Sequence, residues 1–360
     1  MAGCMMVMAG GTGGHVFPAL AVAKEMQARG WQVFWIGRKD SFEARVVPAQ
    51  QIEMEWIDIQ GVRGKGLLQK VAMPLNLLKA VWQSIRIIKA RQPHVVLGMG
   101  GFAAGPGGLA AWLMRKPLVI QEQNTIPGMT NNALAKLATK VFEAFPGSFA
   151  DKVHAQHSGN PVRPELFDIA SPKERVLQPL DRKPRLLVLG GSLGAQALND
   201  LLPAALAKLD QASRPEVLHQ AGNNKLQLAQ QAYQQCQVDA KVVAFIENMQ
   251  QAYSQADLVI CRSGALTVSE LMASGSAAIL IPFPYAVDDH QTHNGEFLVK
   301  VGAAELYQEK QLTAEQLAKI LKRLLSKPEK LQAMAIAARQ LAMPQSVKII
   351  ADACQEEALC

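Results

Sequence analysis

The sequence has few cysteines, and their arrangement matches neither a disulfide framework nor a zinc site. The five cysteines are odd in number and widely spaced, and no Cys-x-x-Cys pair occurs. This usage is typical of a chain in a reducing compartment. Aromatic residues are also scarce, at 6%, and they do not alternate with basic residues. We therefore expect no nucleic-acid partner, because stacking surfaces need such alternation.

Convincing membrane spans are missing as well. Two uncharged stretches, 1–23 and 92–114, approach the length of a span. The first has no basic leader and is interrupted by glycines, unlike a signal peptide. The second contains six glycines and two prolines, which favour a strand, a loop and a helix. We expect a chain without a transmembrane segment.

Acidic residues are absent from 59–121, a segment with nine Lys and Arg residues. Residues 1–160 carry 17 basic and 9 acidic residues, whereas 161–360 carry 20 and 21. Apolar residues recur at helical spacing over 67–85, and most of this stripe is expected to pack on a sheet. The remaining apolar surface beside positive charge favours docking on an anionic membrane surface. The residues expected there are Lys65, Lys70, Leu75, Leu78, Lys79 and Trp82.

Short apolar runs alternate with helical segments, which predicts parallel βαβ units and an α/β fold. Expected strands are 4–8, 32–36, 54–59, 94–98, 118–121, 140–144, 185–189, 216–219, 241–245, 258–261 and 278–281. Helices are expected at 18–28, 67–90 and 344–359. The Pro- and Gly-containing segment 157–167 reads as a boundary. We predict two Rossmann-like, doubly wound domains facing a central cleft: 1–162, joined by helix 344–360, and 163–343.

Glycine-rich turns stand between a strand and a helix at three places: 10–14, 98–108 and 190–194. Such turns let backbone N–H groups approach phosphate oxygens at a helix N-terminus. None completes G-x-G-x-x-G, and none has the Lys-Ser/Thr of a P-loop. Each turn alone could be merely a tight connection, but three together favour more than one phosphate-bearing ligand.

His15 lies directly after the first turn, at a predicted helix start. A neutral imidazole there could take a proton from a hydroxyl. Considered alone, His15 is better explained as a histidine that hydrogen-bonds loop carbonyls than as a catalytic base.

Six motifs occur in order along the chain: GGTGGHVFPA, GMGGFAAGPGG, QEQN, GNPVR, GGSLGA and CRSGALTVSE. Together they resemble the MurG family of bacterial peptidoglycan N-acetylglucosaminyltransferases, inverting enzymes of glycosyltransferase family 28 with the GT-B fold. The resemblance implies transfer of GlcNAc from UDP-GlcNAc to the C4 hydroxyl of the muramoyl sugar of undecaprenyl-diphospho-muramoyl pentapeptide (lipid I), giving lipid II. It also implies a peripheral position on the cytoplasmic face of the inner membrane, with cell-wall synthesis and division proteins as partners.

The resemblance assigns roles to particular residues. The general base is His15. Residues expected to bind UDP-GlcNAc are Thr12, Gly13, Gly14, Asn124, Arg163, Ser192, Ile246, Ala265, Leu266, Thr267, Val268, Ser269, Glu270 and Gln291. Loops for the acceptor diphosphate contain Gly10, Gly11, Gly100, Gly101 and Phe102, where the family often has tyrosine at the last position. The role of His290 stays open. Without the motif, Glu270 fits a solvated helix carboxylate.

No Asp-x-Asp pair occurs, and Asp288 and Asp289 are adjacent and so point differently. We therefore expect no metal and no cofactor, with leaving-group charge met by helix dipoles, hydroxyls and arginine. Two alternatives stay open. One is a glycosyltransferase with another lipid or small-molecule acceptor. The other is an NADP-dependent oxidoreductase, because Arg38 and Lys39 follow the second predicted strand.

Overall fold

The structure, a computed structural model, describes residues 3–59, 73–176, 182–191 and 194–359. The chain divides into two compact units. The first comprises Met1–Val162 together with Gln345–Cys360, and the second comprises Arg163–Pro344. The last helix of the chain therefore belongs to the same unit as the first strand.

The first unit contains a seven-stranded sheet in the order β3-β2-β1-β4-β5-β6-β7 within the described residues, and its paired strands are parallel. Its strands are β1 (Cys4–Met8), β2 (Gln32–Gly37), β3 (Glu53–Trp56), β4 (Val95–Gly98), β5 (Leu118–Glu122), β6 (Lys140–Glu143) and β7 (Gln156–His157). Its helices are α1 (Gly13–Ala28), α2 (Phe42–Val46), α3 (Met73–Arg91), α4 (Ala104–Leu113), α5 (Met129–Leu134) and α14 (Ser346–Glu357).

The second unit repeats this plan with a six-stranded parallel sheet in the order β10-β9-β8-β11-β12-β13. Its strands are β8 (Arg185–Leu189), β9 (Glu216–Gln220), β10 (Lys241–Val243), β11 (Leu258–Cys261), β12 (Ala278–Leu280) and β13 (Ala304–Leu306). Its helices are α6 (Pro172–Val176), α7 (Gln196–Ala207), α8 (Leu226–Gln235), α9 (Met249–Gln255), α10 (Ala265–Ser274), α11 (His290–Lys300), α12 (Ala314–Leu325) and α13 (Pro328–Gln340).

Helices cover both faces of the first sheet, so its central strand is apolar on both sides. Met5, Met6, Val7 and Met8 are fully buried, as expected for a parallel strand between two helical layers. Helix α14 packs against α1 and adds Ile350 to the same core. The expected α/β fold with two parallel, Rossmann-like sheets is confirmed.

The strand order creates a topological switch point in each sheet. In the first sheet β1 lies between β2 and β4, and in the second β8 lies between β9 and β11. Connections on the two sides of β1 and β8 leave in opposite directions, which opens a crevice outside the carboxyl ends of the strands. All three glycine-rich turns follow strands that border these switch points.

Helix α3 packs one apolar face on the sheet and leaves another exposed. Val81 and Ile88 are buried in the core, whereas Leu75, Leu78 and Trp82 are 71%, 65% and 57% exposed. These three are the apolar residues of this helix that the sequence analysis assigned to an exposed surface, so their exposure agrees with that expectation. The helix has two apolar faces, and the sheet takes the one that includes Val81 and Ile88.

The expected start of this helix, together with Lys65 and Lys70, lies outside the described residues. None of the helices in the described ranges is long and apolar enough to cross a bilayer. Four of the five cysteines are described, and all four are free.

Candidate active site

The first glycine-rich turn connects β1 to α1 and is supported by a buried carboxylate. Gly11 has a φ of +91°, which favours glycine. Its N–H donates to Glu43 Oε2 at 3.1 Å, and the Arg38 N–H approaches Glu43 Oε1 at 3.4 Å. Glu43 is 3% exposed. The Gly11 N–H, expected to face a phosphate, is thus already bonded within the protein.

The second glycine-rich turn, after β4, lies directly against the first. Gly100 and Gly101 have φ values of +90° and +85°. A Cβ on Gly101 would lie 2.3 Å from the Gly10 carbonyl oxygen, and one on Gly100 would lie 2.9 Å from Nδ1 of His15. Only glycine therefore allows these backbones and the imidazole to meet. Phe102 at the end of this turn is 51% exposed.

His15 lies in the first turn of α1, whose N-cap is Thr12. Its Nδ1 is 2.6 Å from Oε1 of Gln123, which follows the carboxyl end of β5. Because β1, β4 and β5 are neighbouring parallel strands, their carboxyl ends bring this histidine, the second turn and Gln123 together. His15 is bonded to a side-chain amide, not to the loop carbonyls that were the alternative.

The loop after β5 is organised by Glu122, which is 1% exposed. Its Oε1 accepts from the backbone N–H and side-chain amide of Asn124 at 2.9 and 3.1 Å. Its Oε2 accepts from the Gly128 N–H and from Asn131 Nδ2 at 3.1 and 2.9 Å. Four donors therefore compensate the buried carboxylate and fix Asn124, an expected donor-binding residue.

The third glycine-rich turn follows β8 in the second unit. Gly191 and Gly194 have φ values of +76° and +69°, and the Gly194 N–H donates to the Gly191 carbonyl at 3.0 Å. Lys225 places its Nζ 2.9 Å from the Gly194 carbonyl, which adds a cation to this turn. The expected diphosphate ligand Ser192 lies outside the described residues.

Helix α10 begins at this unit's switch point and presents an open N-terminus. Gly264 is its N-cap, and the Val268 N–H already donates to the Gly264 carbonyl at 2.9 Å. The N–H groups of Ala265, Leu266 and Thr267 precede that first bond, which is the arrangement that suits an anion. The Ser269 hydroxyl instead donates back to the Ala265 carbonyl at 2.9 Å.

Glu270, one turn further along α10, is 8% exposed and so is not a solvated helix carboxylate. Tyr253 Oη donates to its Oε2 at 3.1 Å, and Arg163 Nε lies 3.8 Å from its Oε1. Burial raises the pKa of Glu270, while Arg163 and the Tyr253 hydroxyl act in the opposite direction. The cost of burying the charged form of Glu270 is therefore offset in part by Arg163 and by the Tyr253 hydroxyl.

Gln291 is the second residue of α11, and the connection that precedes this helix is strained. Asp288 and Asp289 both have positive φ, 52° and 49°, an uncommon conformation for residues with a Cβ. The Phe283 N–H donates to Gln291 Oε1 at 3.0 Å, so the Gln291 amide nitrogen is the end left for a ligand. Ile246, just beyond β10, is 8% exposed, which leaves its backbone as the group for recognition.

Sequence reasoning missed four residues of this geometry: Glu43, Gln123, Tyr253 and Lys225. Gln123 lies within the QEQN motif, and its position just after a predicted strand could have pointed to it. The other three come from α2, α9 and the segment before α8, and no local pattern ties them to the glycine-rich turns. Among the described residues no cluster of three or more His, Cys, Asp or Glu side chains could hold a metal ion.

Two Rossmann-like units, each with a glycine-rich turn at its switch point, define the class of two-domain α/β proteins with paired parallel sheets. A solved structure described as the glycotransferase of kitacinnamycin shares this fold, with a TM-score of 0.72, 15% identity and coverage of 99% of each chain. At this identity the likeness concerns the fold alone.

Residues 5–143 match the glycosyltransferase family 28 N-terminal domain, and residues 185–350 match its C-terminal domain. A UDP-N-acetylglucosamine–N-acetylmuramyl-(pentapeptide) pyrophosphoryl-undecaprenol N-acetylglucosamine transferase of Marinobacter nauticus is 50% identical over 98% of this chain and 97% of its own. The crystal structure of Acinetobacter baumannii MurG has a TM-score of 0.87 and 42% identity, covering 98% of this chain and 99% of its own.

The chain belongs to glycosyltransferase family 28, in the MurG group. It is a glycosyltransferase, and the resemblance inferred from the six motifs is confirmed. Membership of this family sets aside the oxidoreductase alternative.

Proposed function

We propose that this enzyme transfers GlcNAc from UDP-GlcNAc to the C4 hydroxyl of the muramoyl sugar of lipid I, yielding lipid II and UDP with inversion at the anomeric carbon. The observation that carries this proposal is the position of His15. It is held by Gln123 at 2.6 Å and lies against the Gly100 backbone, where two glycine-rich turns meet. A proton acceptor beside turns of this kind suits an acceptor with both a hydroxyl and a diphosphate.

In the first unit His15 removes the proton of the acceptor hydroxyl as its oxygen attacks the anomeric carbon. The loops that contain Gly10, Gly11, Gly100, Gly101 and Phe102 receive the acceptor diphosphate. Since the Gly11 N–H is bonded to Glu43, Gly10 and Gly11 contribute the shape of their loop. Thr12, Gly13 and Gly14 at the start of α1, together with Asn124, contact UDP-GlcNAc, as the resemblance implies.

In the second unit the diphosphate of UDP-GlcNAc binds the N-terminus of α10. Arg163 and Ser192 donate further hydrogen bonds to this diphosphate. The bond between the anomeric carbon and UDP breaks, and the electron pair leaves with UDP, whose negative charge these groups stabilise. Glu270 accepts hydrogen bonds from the two ribose hydroxyls. Gln291 donates through its amide nitrogen, and the Ile246 backbone contacts uracil.

We expect this step to need no metal and no cofactor, since helix N-termini and a guanidinium supply the charge stabilisation. General-base catalysis of this kind contributes about 10²- to 10⁴-fold to the rate. His15→Ala is therefore expected to lower kcat by about that factor, with UDP affinity unchanged because UDP binds the other unit.

Peripheral binding at the cytoplasmic face of the inner membrane completes the proposal. The exposed side chains of Leu75, Leu78 and Trp82 on α3 form an apolar surface. The Arg86 guanidinium lies 4.8 Å from the Trp82 ring centroid, which brings a cation to its border. Lys79 pairs with Asp58 at 2.8 Å, so its charge is less available to lipid than the sequence suggests.

The test is a transfer assay with labelled UDP-GlcNAc and a short-chain lipid I analogue, run with and without EDTA. Equal transfer in both conditions, abolished in His15→Ala, supports acceptor, base and metal independence together. Binding of UDP-GlcNAc without transfer to lipid I would refute the acceptor and favour another lipid or small-molecule acceptor. Loss of transfer only in EDTA would refute the metal-free step.

A further inference from the structure

The His15 imidazole terminates a buried row of three side-chain amides. Gln121, Gln123 and Asn160 are 0%, 1% and 3% exposed, and they connect the end of β5 to the segment after β7. We infer that Gln123 is a positioning residue that keeps the proton of neutral His15 on Nδ1. This leaves the lone pair of Nε2 to accept the proton of the acceptor hydroxyl. The role in catalysis rests on the function proposed above.

The orientation of each amide is set by a backbone carbonyl, because a carbonyl oxygen only accepts. Asn160 Nδ2 donates to the Gln123 carbonyl at 3.0 Å. Gln121 Nε2 donates to the Glu122 carbonyl at 3.1 Å, and Gln123 Nε2 donates to the Gln121 carbonyl at 3.1 Å. A flipped amide would set two oxygens against each other, so each nitrogen is identified by its partner.

The amide oxygens then point in one direction along the row. Gln121 Nε2 donates to Asn160 Oδ1 at 3.2 Å, and Gln123 Nε2 donates to Gln121 Oε1 at 2.6 Å. The last oxygen, Gln123 Oε1, is 2.6 Å from His15 Nδ1. Since an amide oxygen has no proton to give, Nδ1 must be the donor.

The row is also held from outside. The Ser346 hydroxyl of α14 donates to the Asn160 carbonyl at 3.0 Å, and Asn131 Nδ2 donates to the Gln121 carbonyl at 3.1 Å. The polarity of the row is therefore built into the first unit by elements far apart in the chain. In a neutral histidine the hydrogen bond of one ring nitrogen fixes the state of the other. The bond from Nδ1 of His15 to Gln123 therefore leaves Nε2 without a proton.

Nε2 of His15 has no hydrogen-bond partner among the described residues, and the side chain is half-buried. When the acceptor oxygen attacks, its proton moves to Nε2 and produces an imidazolium. Both ring nitrogens then carry a proton, and Gln123 Oε1 still accepts from Nδ1. The opposite tautomer would present an N–H to the acceptor hydroxyl and could not take its proton.

The chain provides an internal control for the tautomer. The Cys4 N–H donates to Nδ1 of His94 at 3.0 Å, so neutral His94 must carry its proton on Nε2. Long-range ¹H–¹⁵N correlation spectra of the histidine-labelled enzyme, at about pH 8 where a typical histidine is neutral, distinguish the two forms. We expect a protonated Nδ1 for His15 and a protonated Nε2 for His94, with signals assigned by His15→Asn and His94→Asn.

The variant Gln123→Met removes the amide at similar length. We expect His15 to lose its Nδ1–H form in part or whole and His94 to stay unchanged. We expect kcat to fall by about 10-fold or more, with the about 10²- to 10⁴-fold contribution of the general base as the upper limit. UDP affinity should stay constant. A protonated Nε2 on His15 in the unmodified enzyme would overturn the inference even if the variant fails to fold.

The outcomes separate this inference from the proposed function. The expected tautomer without transfer to lipid I would refute the function and leave the orientation of His15 intact. Transfer by an enzyme whose His15 carries its proton on Nε2 would refute the inference alone. A changed tautomer in Gln123→Met with unchanged kcat would refute the catalytic role of Gln123.

Discussion

Tyr253→Phe tests the donor half of the site through a residue that we do not expect to touch the donor. The Tyr253 side chain is fully buried, and its hydroxyl donates to Glu270 Oε2 at 3.1 Å. Burial raises the pKa of Tyr253 well above its ordinary value, so this hydroxyl stays a donor at any working pH. Its loss leaves one oxygen of a buried carboxylate without that partner.

The size of the effect follows from the kind of hydrogen bond. A bond to a charged group contributes about 1.5–3 kcal/mol, which corresponds to about a 10- to 150-fold change in affinity. Because Glu270 can turn toward Arg163, 3.8 Å away, we expect the lower end of this range. UDP-GlcNAc affinity should fall about 10-fold, and kcat should change little because His15 belongs to the other unit.

The pH dependence supplies a second readout. Burial raises the pKa of Glu270, and the Tyr253 hydroxyl opposes that rise. Removing the hydroxyl therefore raises the pKa of Glu270 further. Because the ribose hydroxyls need an ionised carboxylate, donor affinity in Tyr253→Phe should fall at a higher pH than in the unmodified enzyme as the solution is made more acidic.

Tyr233→Phe is the matched control, measured with Tyr253→Phe by titration calorimetry with UDP-GlcNAc across pH. Tyr233 is also buried in the second unit, but its hydroxyl lies 3.0 Å from His219 Nδ1. The control should keep its donor affinity and pH profile. Equal losses in both variants, or an unchanged affinity in Tyr253→Phe, would refute the role of Tyr253 in holding Glu270.

Gly100→Ala should lower kcat by about 10-fold or more with unchanged UDP affinity, since a positive φ costs about 1–2 kcal/mol with a Cβ and the new methyl would press on His15; normal turnover would contradict this. Glu270→Gln should raise the melting temperature and the donor KM. The folded-state pKa of Glu270 is raised by burial, so its stabilising contribution is lost as pH rises through that pKa, and the thermal gain should be larger on the alkaline side of this transition than on the acidic side. Leu78→Ser should weaken binding to anionic vesicles, measured by sedimentation, by about 10-fold, because about 1.5 kcal/mol of burial in the membrane is lost. The same substitution at Leu228, a similarly exposed leucine of the second unit, should leave vesicle binding unchanged. Equal effects of the two substitutions would exclude α3 as the docking surface.

The elements of the fold follow closely from local pattern. Strands β1, β8 and β11 have the predicted bounds, because each is a short apolar run that ends at a glycine or serine turn. Shorter strands at the sheet edges, β7 and β13, were missed since two or three residues carry no periodic signal. Helix α1 begins at Gly13, five residues before its predicted start, because glycines gave no indication of a helix there.

The candidate site divides in the same way. The glycine-rich turns, His15 and the start of α10 are visible in the sequence because each is a contiguous stretch at a strand–helix junction. The partners that orient them are not. Glu43 lies 32 positions from Gly11, and Gln123 lies 108 positions from His15. Sequence alone left the burial of Glu270 undetermined.

The sequence by itself determined the parallel α/β class, the places of the three glycine-rich turns and, through six ordered motifs, the family. These depend on periodicity and on glycine, whose effects act within a few residues. Tertiary structure decided which face of α3 meets the sheet, which carboxylates are buried, and which way the amides beside His15 point. Those outcomes depend on contacts between residues far apart in the chain, because a buried polar group takes whatever partner the fold brings to it.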